Sequence, residues 1–284
     1  MAHALPNQAL RAAKNLKVLL FPGAGVVQRN SNELPLGCVL SNVYEHEAPI
    51  AEYVIMAILM FLTRVAQFEQ TFREGKWNGT GRVGGEPHEE AQGKTVGLIG
   101  YGHIGQAVGK RALAFGMHVL AIKQRPEISE NLDVLPHYLG GPDNLEHLLS
   151  RSDFVVIACP LTEQTRGWIG ARELALMLPH SVLINVARAE IVQEKPLFDV
   201  LKNKRIQGAA LDVWYQNPKT LGERIHGSHY EFHLLPNVLV TPHLFSAWTG
   251  PMIQRRLRKI AHNLMRLEQG LELNRVVLVG SWRP

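Results

Sequence analysis

Short runs of apolar residues alternate along this chain with longer segments in which apolar positions recur every three or four residues. The short runs have the composition of buried strands, and the longer segments have the period of helices that pack on a core. This alternation predicts an α/β fold with a parallel sheet and right-handed crossovers. The predicted strands span Val18–Phe21, 38–41, Thr95–Ile99, 119–122, 154–158, Val182–Asn185, Gly208–Leu211 and Val238–Val240.

One predicted helix, residues 50–72, is far more apolar than the others. Pro49 suits its first turn, because proline lacks only an N–H group that would have no partner there. Through Leu62 the helix is apolar almost all round, so we expect it to be buried between domains or against another subunit. The remaining predicted helices span 8–15, 104–115, 144–149, Glu194–Lys202 and 251–269, and the glycine-rich segment 75–93 is predicted to be a loop.

A glycine-rich turn joins the strand Thr95–Ile99 to the helix that follows it, with glycines at GxGxxG spacing. The first glycine permits a tight turn, the second lets a pyrophosphate approach the backbone, and the third lets the helix pack closely on the strand. The phosphates would meet free N–H groups at the positive end of the helix. This context favours a dinucleotide site over a structural turn. The predicted cofactor contacts are Gly100, Gly102, His103, Ile104 and Gly105.

The next strand ends in the basic sequence Lys123-Gln124-Arg125-Pro126, which contains no acidic residue. Units of this kind that bind NAD have Asp or Glu there, as acceptor for the ribose hydroxyls. A carboxylate would repel a 2′-phosphate, whereas Lys123 and Arg125 attract one. The sequence therefore favours NADP(H) over NAD(H), with Lys123, Gln124 and Arg125 as contacts. The alternative is a solvated basic turn.

The composition narrows the class of protein. The 284 residues, 46% hydrophobic and 19% charged, predict a globular protein of one large or two modest domains, and the net charge of +5 suits anionic ligands.

The basic cluster 255–259 lacks interleaved aromatic residues and lies on a helix, so we predict no nucleic-acid partner. The apolar run 53–62 is too short to span a bilayer, so we predict no membrane association. Cys38 and Cys159 show no metal-binding spacing and no disulfide framework, which favours a metal-free, cytoplasmic protein.

Three later strands end in polar residues: one in Asn185-Val186-Ala187-Arg188, one in Asp212 and one in Thr241-Pro242-His243. Ligands bind at this edge in open α/β sheets. A guanidinium group can hold a carboxylate and polarise a carbonyl, and an imidazole can donate the proton that accompanies hydride. The combination predicts hydride transfer to a carbonyl acid, although each residue alone is equally typical of a turn.

With these strand ends, the chain resembles the D-isomer-specific 2-hydroxyacid dehydrogenase family. The resemblance implies a doubly wound parallel Rossmann-type sheet, residues 67–246, inserted into a smaller, truncated flavodoxin-like substrate domain, residues 1–66 and 247–284. The matching segments are GKTVGLIGYGHIG (93–105), SDFVVIACPLTEQTRGWIG (152–170), LINVARAEIV (183–192), GAALDVW (208–214) and LPNVLVTPH (235–243).

The resemblance also implies roles for individual residues. Arg188 would be the catalytic arginine and His243 the acid/base histidine. Backbone N–H groups of Ala24 and Gly25 would bind the substrate carboxylate, and His46 would be a polar substrate contact. A homodimer is implied as well. The nicotinamide half of the cofactor would lie against Pro160, Thr165, Ala187 and Asp212.

The chain departs from the family pattern at Asn217, where members usually have a glutamate bonded to the catalytic histidine. A carboxylate would raise the imidazole pKa, whereas a neutral amide orients the ring without that stabilisation. Formate dehydrogenases, which are relatives, also have a neutral amide there. The connection 220–233 is longer than usual, so Glu223 or Glu231 is an alternative source of a carboxylate.

The segment before Lys17 is the other departure, because only sixteen residues stand where the family has a βαβαβ run. We therefore expect most of the substrate domain's sheet to be missing and apolar surface to be exposed on Val18–Phe21 and 50–62. The resulting hypothesis is an NAD(P)H-dependent enzyme that reduces a small 2-oxo acid, of the glyoxylate or hydroxypyruvate type, to the D-2-hydroxy acid. The alternatives are a non-catalytic protein that senses dinucleotide, and formate oxidation.

Overall fold

The computed structural model describes residues 7–23, 30–77, 85, 87–127, 132–220, 222–243 and 245–282. The chain divides into two compact units, Met1–His46 with Trp248–Pro284, and Glu47–Ala247. The sequence-based division assigned residues 47–66 to the smaller unit, whereas compactness groups them with the larger one. That the smaller unit serves as a substrate domain stays a prediction.

The elements alternate as the apolar pattern predicts. The strands are β1 (Val18–Phe21), β2 (Val39–Asn42), β3 (Thr95–Ile99), β4 (His118–Ile122), β5 (Tyr138–Gly140), β6 (Phe154–Ile157), β7 (Val182–Asn185), β8 (Gly208–Leu211), β9 (Val238–Val240) and β10 (Val276–Val279). The helices are α1 (Asn7–Ala12), α2 (Glu47–Thr63), α3 (Val65–Arg73), α4 (His103–Ala114), α5 (Leu145–Leu149), α6 (Ala171–Ala175), α7 (Glu194–Lys202) and α8 (Gly250–Glu268).

Seven strands of the larger unit form one sheet in the order β5-β4-β3-β6-β7-β8-β9, and every pair is parallel. Strands β6, β7 and β8 are buried at every position, which is why they appear in the sequence as unbroken apolar runs. The strand order reverses between β3 and β6. The predicted parallel fold is therefore confirmed. In doubly wound sheets, ligands bind outside the carboxyl ends of the strands at the point where the order reverses.

The apolar helix α2 is buried within the larger unit itself. Ile50, Tyr53 and Val54 lie in one core cluster with Leu98 of β3 and Val108 of α4. Met56 of this helix is still 38% exposed, so burial of its remaining apolar surface against another subunit stays a prediction. Its apolar circumference is explained by the sheet and by α4, which it packs against.

The predicted helix 50–72 is in fact two helices. Arg64, between α2 and α3, has φ 52°, a left-handed conformation that a continuous α-helix does not contain. No single helix in the described part of the chain is long and apolar enough to cross a membrane. Helices α2 and α3 reach the necessary length and composition only as a pair, and that pair is bent by 59°.

The smaller unit contains a three-stranded sheet in the order β1-β2-β10, in which β10 runs antiparallel to β2. Strand β10 was missed from the sequence, as were β5 and α6. The side chains of Val276, Val277 and Val279 are 45–51% exposed, so the run lacks the alternation that marks a half-buried strand. Within the unit, Asn263 of α8 donates to Ser41 Oγ on β2 and to the Asn274 carbonyl, at 3.0 and 3.1 Å.

Candidate active site

The glycine turn after β3 has the shape that a pyrophosphate requires. A Cβ on Gly100, whose φ is +104°, would lie 2.6 Å from the Cys159 amide nitrogen. A Cβ on Gly105 would lie 2.2 Å from the Gly100 carbonyl oxygen. On Gly102 a Cβ would meet no heavy atom of the described residues within 4 Å, so this side of the turn faces open space. Two glycines close the turn, and the third leaves a cradle that a side chain would fill.

Gly102 is also the N-cap of α4, and no side chain caps the N-terminus of that helix in the described structure. The first N–H groups of a helix point along its axis and lack intrahelical partners. Helix N-termini bind anions through such groups, and the space beside Gly102 would admit one here. The predicted contacts His103 and Ile104 are the first two residues of α4. The turn fits the phosphates of a dinucleotide.

The basic segment after β4 lies at the same edge of the sheet, because β4 pairs with β3 in parallel register. The Lys123 N–H donates to the Gly140 carbonyl at 3.0 Å, which joins the segment to the end of β5. The Lys123 side chain is half-buried, and Gln124 and Arg125 are exposed. Two cations thus follow the strand next to the glycine turn.

A threonine closes the loop that follows β6. Thr165 Oγ1 donates to the Pro160 carbonyl at 2.7 Å and accepts from the Thr162 N–H at 2.8 Å. Strand β6 is the other neighbour of β3, so this loop begins beside the glycine turn. Pro160 and Thr165 are the predicted contacts of the nicotinamide half, and the hydroxyl bonds fix their separation.

A buried asparagine shapes the loop after β7. Asn185 Nδ2 donates to the Arg188 carbonyl at 3.0 Å, and its Oδ1 accepts from the Ala187 N–H at 3.1 Å. These bonds bury Ala187 and leave the Arg188 side chain exposed at the strand end. The guanidinium donates to the Ala187 carbonyl at 2.7 Å through Nη1. Its other N–H groups are well suited to a carboxylate.

The carboxylate of Asp212, at the end of β8, is 2% exposed and accepts three hydrogen bonds. Oδ1 accepts from Thr241 Oγ1 at 2.7 Å. Oδ2 accepts from the N–H of Ser246 at 3.0 Å and from its Oγ at 2.5 Å. A buried charge requires such donors. Tyr53 of α2 bonds Thr241 Oγ1 from the other side, at 3.0 Å.

The imidazole of His243, which follows β9, lies near charged groups that follow β7 and β8. Burial lowers its pKa below the ordinary value, and repulsion by the Arg188 cation lowers it further. Attraction to Asp212 and Glu190 opposes this decrease in the His243 pKa. The structure therefore brings together the cation, the acid and the imidazole that the strand ends predict. It adds Glu190, which the sequence reasoning missed although it lies two residues beyond Arg188.

The predicted neighbour of the imidazole does not contact it. Asn217 is exposed, and its side chain makes no hydrogen bond to any described residue. The carboxylate of Glu223 accepts instead from the N–H groups of Lys219 and Thr220, and Glu231 is exposed. The idea that Asn217 orients the ring, or that Glu223 or Glu231 supplies its carboxylate, is wrong for this structure. Nδ1 of His243 is buried and has no hydrogen-bond partner among the described residues.

The predicted substrate contacts lie outside the larger unit or outside the described residues. Ala24 and Gly25 lie outside the described residues. His46 lies in the smaller unit, where its ring is parallel to that of Tyr44 with 6.1 Å between centroids. These three assignments stay predictions.

The sequence of the chain matches that of known proteins over the same strand ends. The family model described as "D-isomer specific 2-hydroxyacid dehydrogenase, NAD binding domain" matches residues 55–244. The chain belongs to this family. The resemblance inferred from the motifs is thus confirmed, and the family's NAD-binding domain is the seven-stranded unit described above.

Individual relatives share between about a fifth and a third of their residues with this chain, as three examples show. The glyoxylate reductase of Thermococcus gammatolerans is 36% identical over 228 residues, which cover 78% of this chain and 63% of the relative. The chain therefore spans less than two thirds of that relative. A solved NADPH-dependent glyoxylate/hydroxypyruvate reductase from Sinorhizobium meliloti, in complex with NADP and sulfate, is 27% identical with a TM-score of 0.75, over 96% of this chain and 82% of its own. A D-lactate dehydrogenase from Lactobacillus jensenii with NAD+ shares the fold at 22% identity and a TM-score of 0.75, over 96% and 82% of the two chains.

Proposed function

We propose that this protein reduces a small 2-oxo acid, of the glyoxylate or hydroxypyruvate type, to the D-2-hydroxy acid with NAD(P)H. The main support is the convergence of Arg188, Asp212 and His243 at the ends of the adjoining parallel strands β7, β8 and β9. The glycine turn after β3 lies at the same edge of the sheet. The glyoxylate and glyoxylate/hydroxypyruvate reductases among its relatives support the substrate class.

Each group has a role that its position allows. Arg188 binds the substrate carboxylate through its exposed guanidinium and polarises the carbonyl. The protonated imidazole of His243 gives its proton to the carbonyl oxygen as the alcohol forms. When bound, the reduced dinucleotide supplies the hydride. The glycine turn holds the phosphates, and Pro160, Thr165, Ala187 and Asp212 hold the nicotinamide half.

The substrate itself aids this proton transfer. Arg188 disfavours the protonated imidazole of His243 in the empty site, because two cations repel one another. A bound 2-oxo acid neutralises the guanidinium with its own carboxylate. The repulsion then decreases, and protonation of His243 becomes more favourable. This coupling favours acids over simple aldehydes and ketones as substrates.

We propose further that the cofactor is NADP(H) rather than NAD(H). The support is the pair Lys123 and Arg125 after β4, with no acid at the position that would accept from ribose hydroxyls. The NADP bound to the solved Sinorhizobium meliloti relative is consistent with this choice. We also keep a homodimer and a cytoplasmic location as proposals. The free thiols of Cys38 and Cys159 suit a reducing compartment, and light scattering of the purified protein tests the dimer.

The rival activities have less support. Formate oxidation was favoured only by an amide at position 217 beside the imidazole, and the exposed Asn217 is not in contact with it. A non-catalytic sensor would not need Arg188 and a half-buried His243 at adjoining strand ends. Reduction of a 2-oxo acid is therefore better supported than formate oxidation or non-catalytic dinucleotide sensing.

The experiment is oxidation of NADPH and NADH by the purified chain with glyoxylate, hydroxypyruvate and pyruvate, beside NADP reduction with formate. We expect turnover with at least one 2-oxo acid, and a decrease in kcat of about 100-fold or more in His243→Ala. Equal rates in the wild type and in His243→Ala would contradict the role of His243. Cofactor binding without turnover of any acid would favour the sensor.

A further inference from the structure

Both ends of the segment that bears His243 are tied to a single buried carboxylate. Thr241 precedes the histidine by two residues and donates to Asp212 Oδ1 at 2.7 Å. Ser246 follows it by three residues and donates its N–H and its hydroxyl to Oδ2, at 3.0 and 2.5 Å. Asp212 and Ser246 are 2% and 5% exposed, so water competes little for these bonds. We call Asp212, Thr241, Ser246 and Tyr53 the Asp212 clasp.

The direction of the bond to Tyr53 follows from proton counting. A hydroxyl has one proton to donate. That of Thr241 points to Asp212 Oδ1, because this acceptor is charged and lies only 2.7 Å away. In the 3.0 Å contact between Tyr53 Oη and Thr241 Oγ1, the tyrosine must therefore be the donor. Burial raises the pKa of Tyr53 to about 12, so its proton is retained at neutral pH. Tyr53 thus fixes the rotamer of Thr241 from helix α2.

A second donor holds the same threonine through its backbone. Trp214 Nε1 donates to the Thr241 carbonyl at 2.8 Å. Thr241 is also joined to β8 by its N–H, which donates to the Leu211 carbonyl at 3.1 Å. Thr241 is therefore held by two backbone and two side-chain hydrogen bonds before His243, and Ser246 is held just after it.

The imidazole needs such support because its own ring lacks it. A catalytic histidine is usually oriented by an acceptor on the nitrogen that does not react. Nδ1 of His243 is buried without a partner among the described residues, and Asn217 is exposed. Among the described residues no acceptor on Nδ1 aims the ring, so the position of the backbone that bears it gains importance.

We propose that Tyr53, Thr241 and Ser246 are positioning residues, which fix His243 for proton transfer by clasping its segment onto Asp212. The expected effect on kcat rests on the proposed function. The expected effect on the position of the His243 ring rests on the geometry alone. In this proposal Tyr53 and Ser246 act through the clasp and not on a reacting atom. A carboxylate at position 217 is not needed for this orientation.

The kinetic test compares serine and tyrosine variants with matched controls. We expect Ser246→Ala and Tyr53→Phe to lower kcat by about ten-fold or more while the KM for NADPH stays near its wild-type value, because small misplacement of a catalytic group is costly. Ser246→Thr keeps the hydroxyl and should restore kcat. In Ser228→Ala and Tyr215→Phe the lost hydroxyls donate to Glu194 and to the Val192 carbonyl, away from the clasp, and kcat should be unchanged.

The structural test needs no turnover. In the cofactor-free protein, the Cε1–H resonance of His243, assigned with His243→Ala, should shift or broaden in Ser246→Ala and in Tyr53→Phe but not in the two controls. An unchanged resonance in both variants overturns the clasp, whether or not any oxo acid is reduced. If no acid is turned over but the resonance responds, the proposed function fails and the clasp stands. If Ser246→Ala does not fold, Tyr53→Phe alone decides between these results.

Discussion

Two regions at the same edge of the seven-stranded sheet are positioned by opposite means. The glycine turn after β3 is positioned by missing side chains, since added Cβ atoms would lie 2.6 Å from Cys159 at Gly100 and 2.2 Å from Gly100 at Gly105. The His243 segment is positioned by side chains that are present, with three donors on Asp212 and a fourth on Thr241. The first region has no room for an added atom at Gly100 and Gly105, whereas the second is held in place by hydrogen-bond donors.

The largest expected effect comes from adding one methyl group to the glycine turn. In Gly102→Ala the Cβ enters the open space at the N-terminus of α4, so we expect normal stability but a loss of NADPH affinity of about 100-fold or more, because charge-assisted bonds to the phosphates are lost. In Gly105→Ala the Cβ meets backbone, so the free energy of unfolding should also fall, by about 1–3 kcal/mol. Calorimetric binding and thermal unfolding measure both quantities.

This pair of variants tests whether the turn binds the cofactor's phosphates or is only a structural turn. If Gly102→Ala binds NADPH as the wild type does, the open space is not where the phosphates lie. If Gly102→Ala is destabilised as much as Gly105→Ala, the difference inferred from the two Cβ positions is wrong.

A smaller effect is expected at the basic end of β4. Lys123→Ala combined with Arg125→Ala should weaken NADPH binding by about ten-fold or more and leave NADH binding nearly unchanged, since only NADPH has the 2′-phosphate. Arg166→Ala, which removes one cation from the loop after β6, controls for the loss of positive charge as such. Equal losses for NADPH and NADH in the double variant would mean that the segment does not read the phosphate.

The smallest effect, and the one most specific to the second region, is a shift in the titration of His243. We expect a midpoint below 6.5 for its Cε1–H resonance in the cofactor-free protein, because burial and Arg188 both lower the pKa. Neutral imidazole therefore predominates at neutral pH and gains its proton only as the pH falls through that midpoint. Arg188→Met should raise the midpoint and Asp212→Asn should lower it further. A midpoint above 6.5, or shifts of the opposite sign, would contradict the arrangement of charges.

The difference between the two regions also explains what the sequence could predict. The glycine spacing and the strands on either side of it lie within about thirty consecutive residues, and local patterns of this kind predict local structure. Strands β3, β7 and β8 were predicted with their observed bounds, because buried parallel strands are continuous apolar runs. The break at Arg64 was missed because nothing in the apolar pattern marks a left-handed residue there.

The clasp could not be predicted in the same way. Its members Tyr53, Asp212 and Ser246 are far apart in the chain, and a tyrosine on an apolar helix face is more typical of core packing than of hydrogen bonding. Asn217 was interpreted from its position in a motif, but the long connection that follows leaves it exposed. Glu190 is close in sequence to Arg188, yet only the folded turn Ala189–Ile191 brings its charge to His243.

The central claim is that the glycine turn binds the cofactor and the His243 segment performs the proton chemistry. Two assays on three protein variants test it most directly. NADPH binding and 2-oxo acid reduction are measured on the wild type, Gly102→Ala and His243→Asn. The wild type should do both, Gly102→Ala neither, and His243→Asn should bind NADPH normally while its turnover is lost. Turnover at the wild-type rate by His243→Asn, or undiminished NADPH binding by Gly102→Ala, would contradict this division of roles.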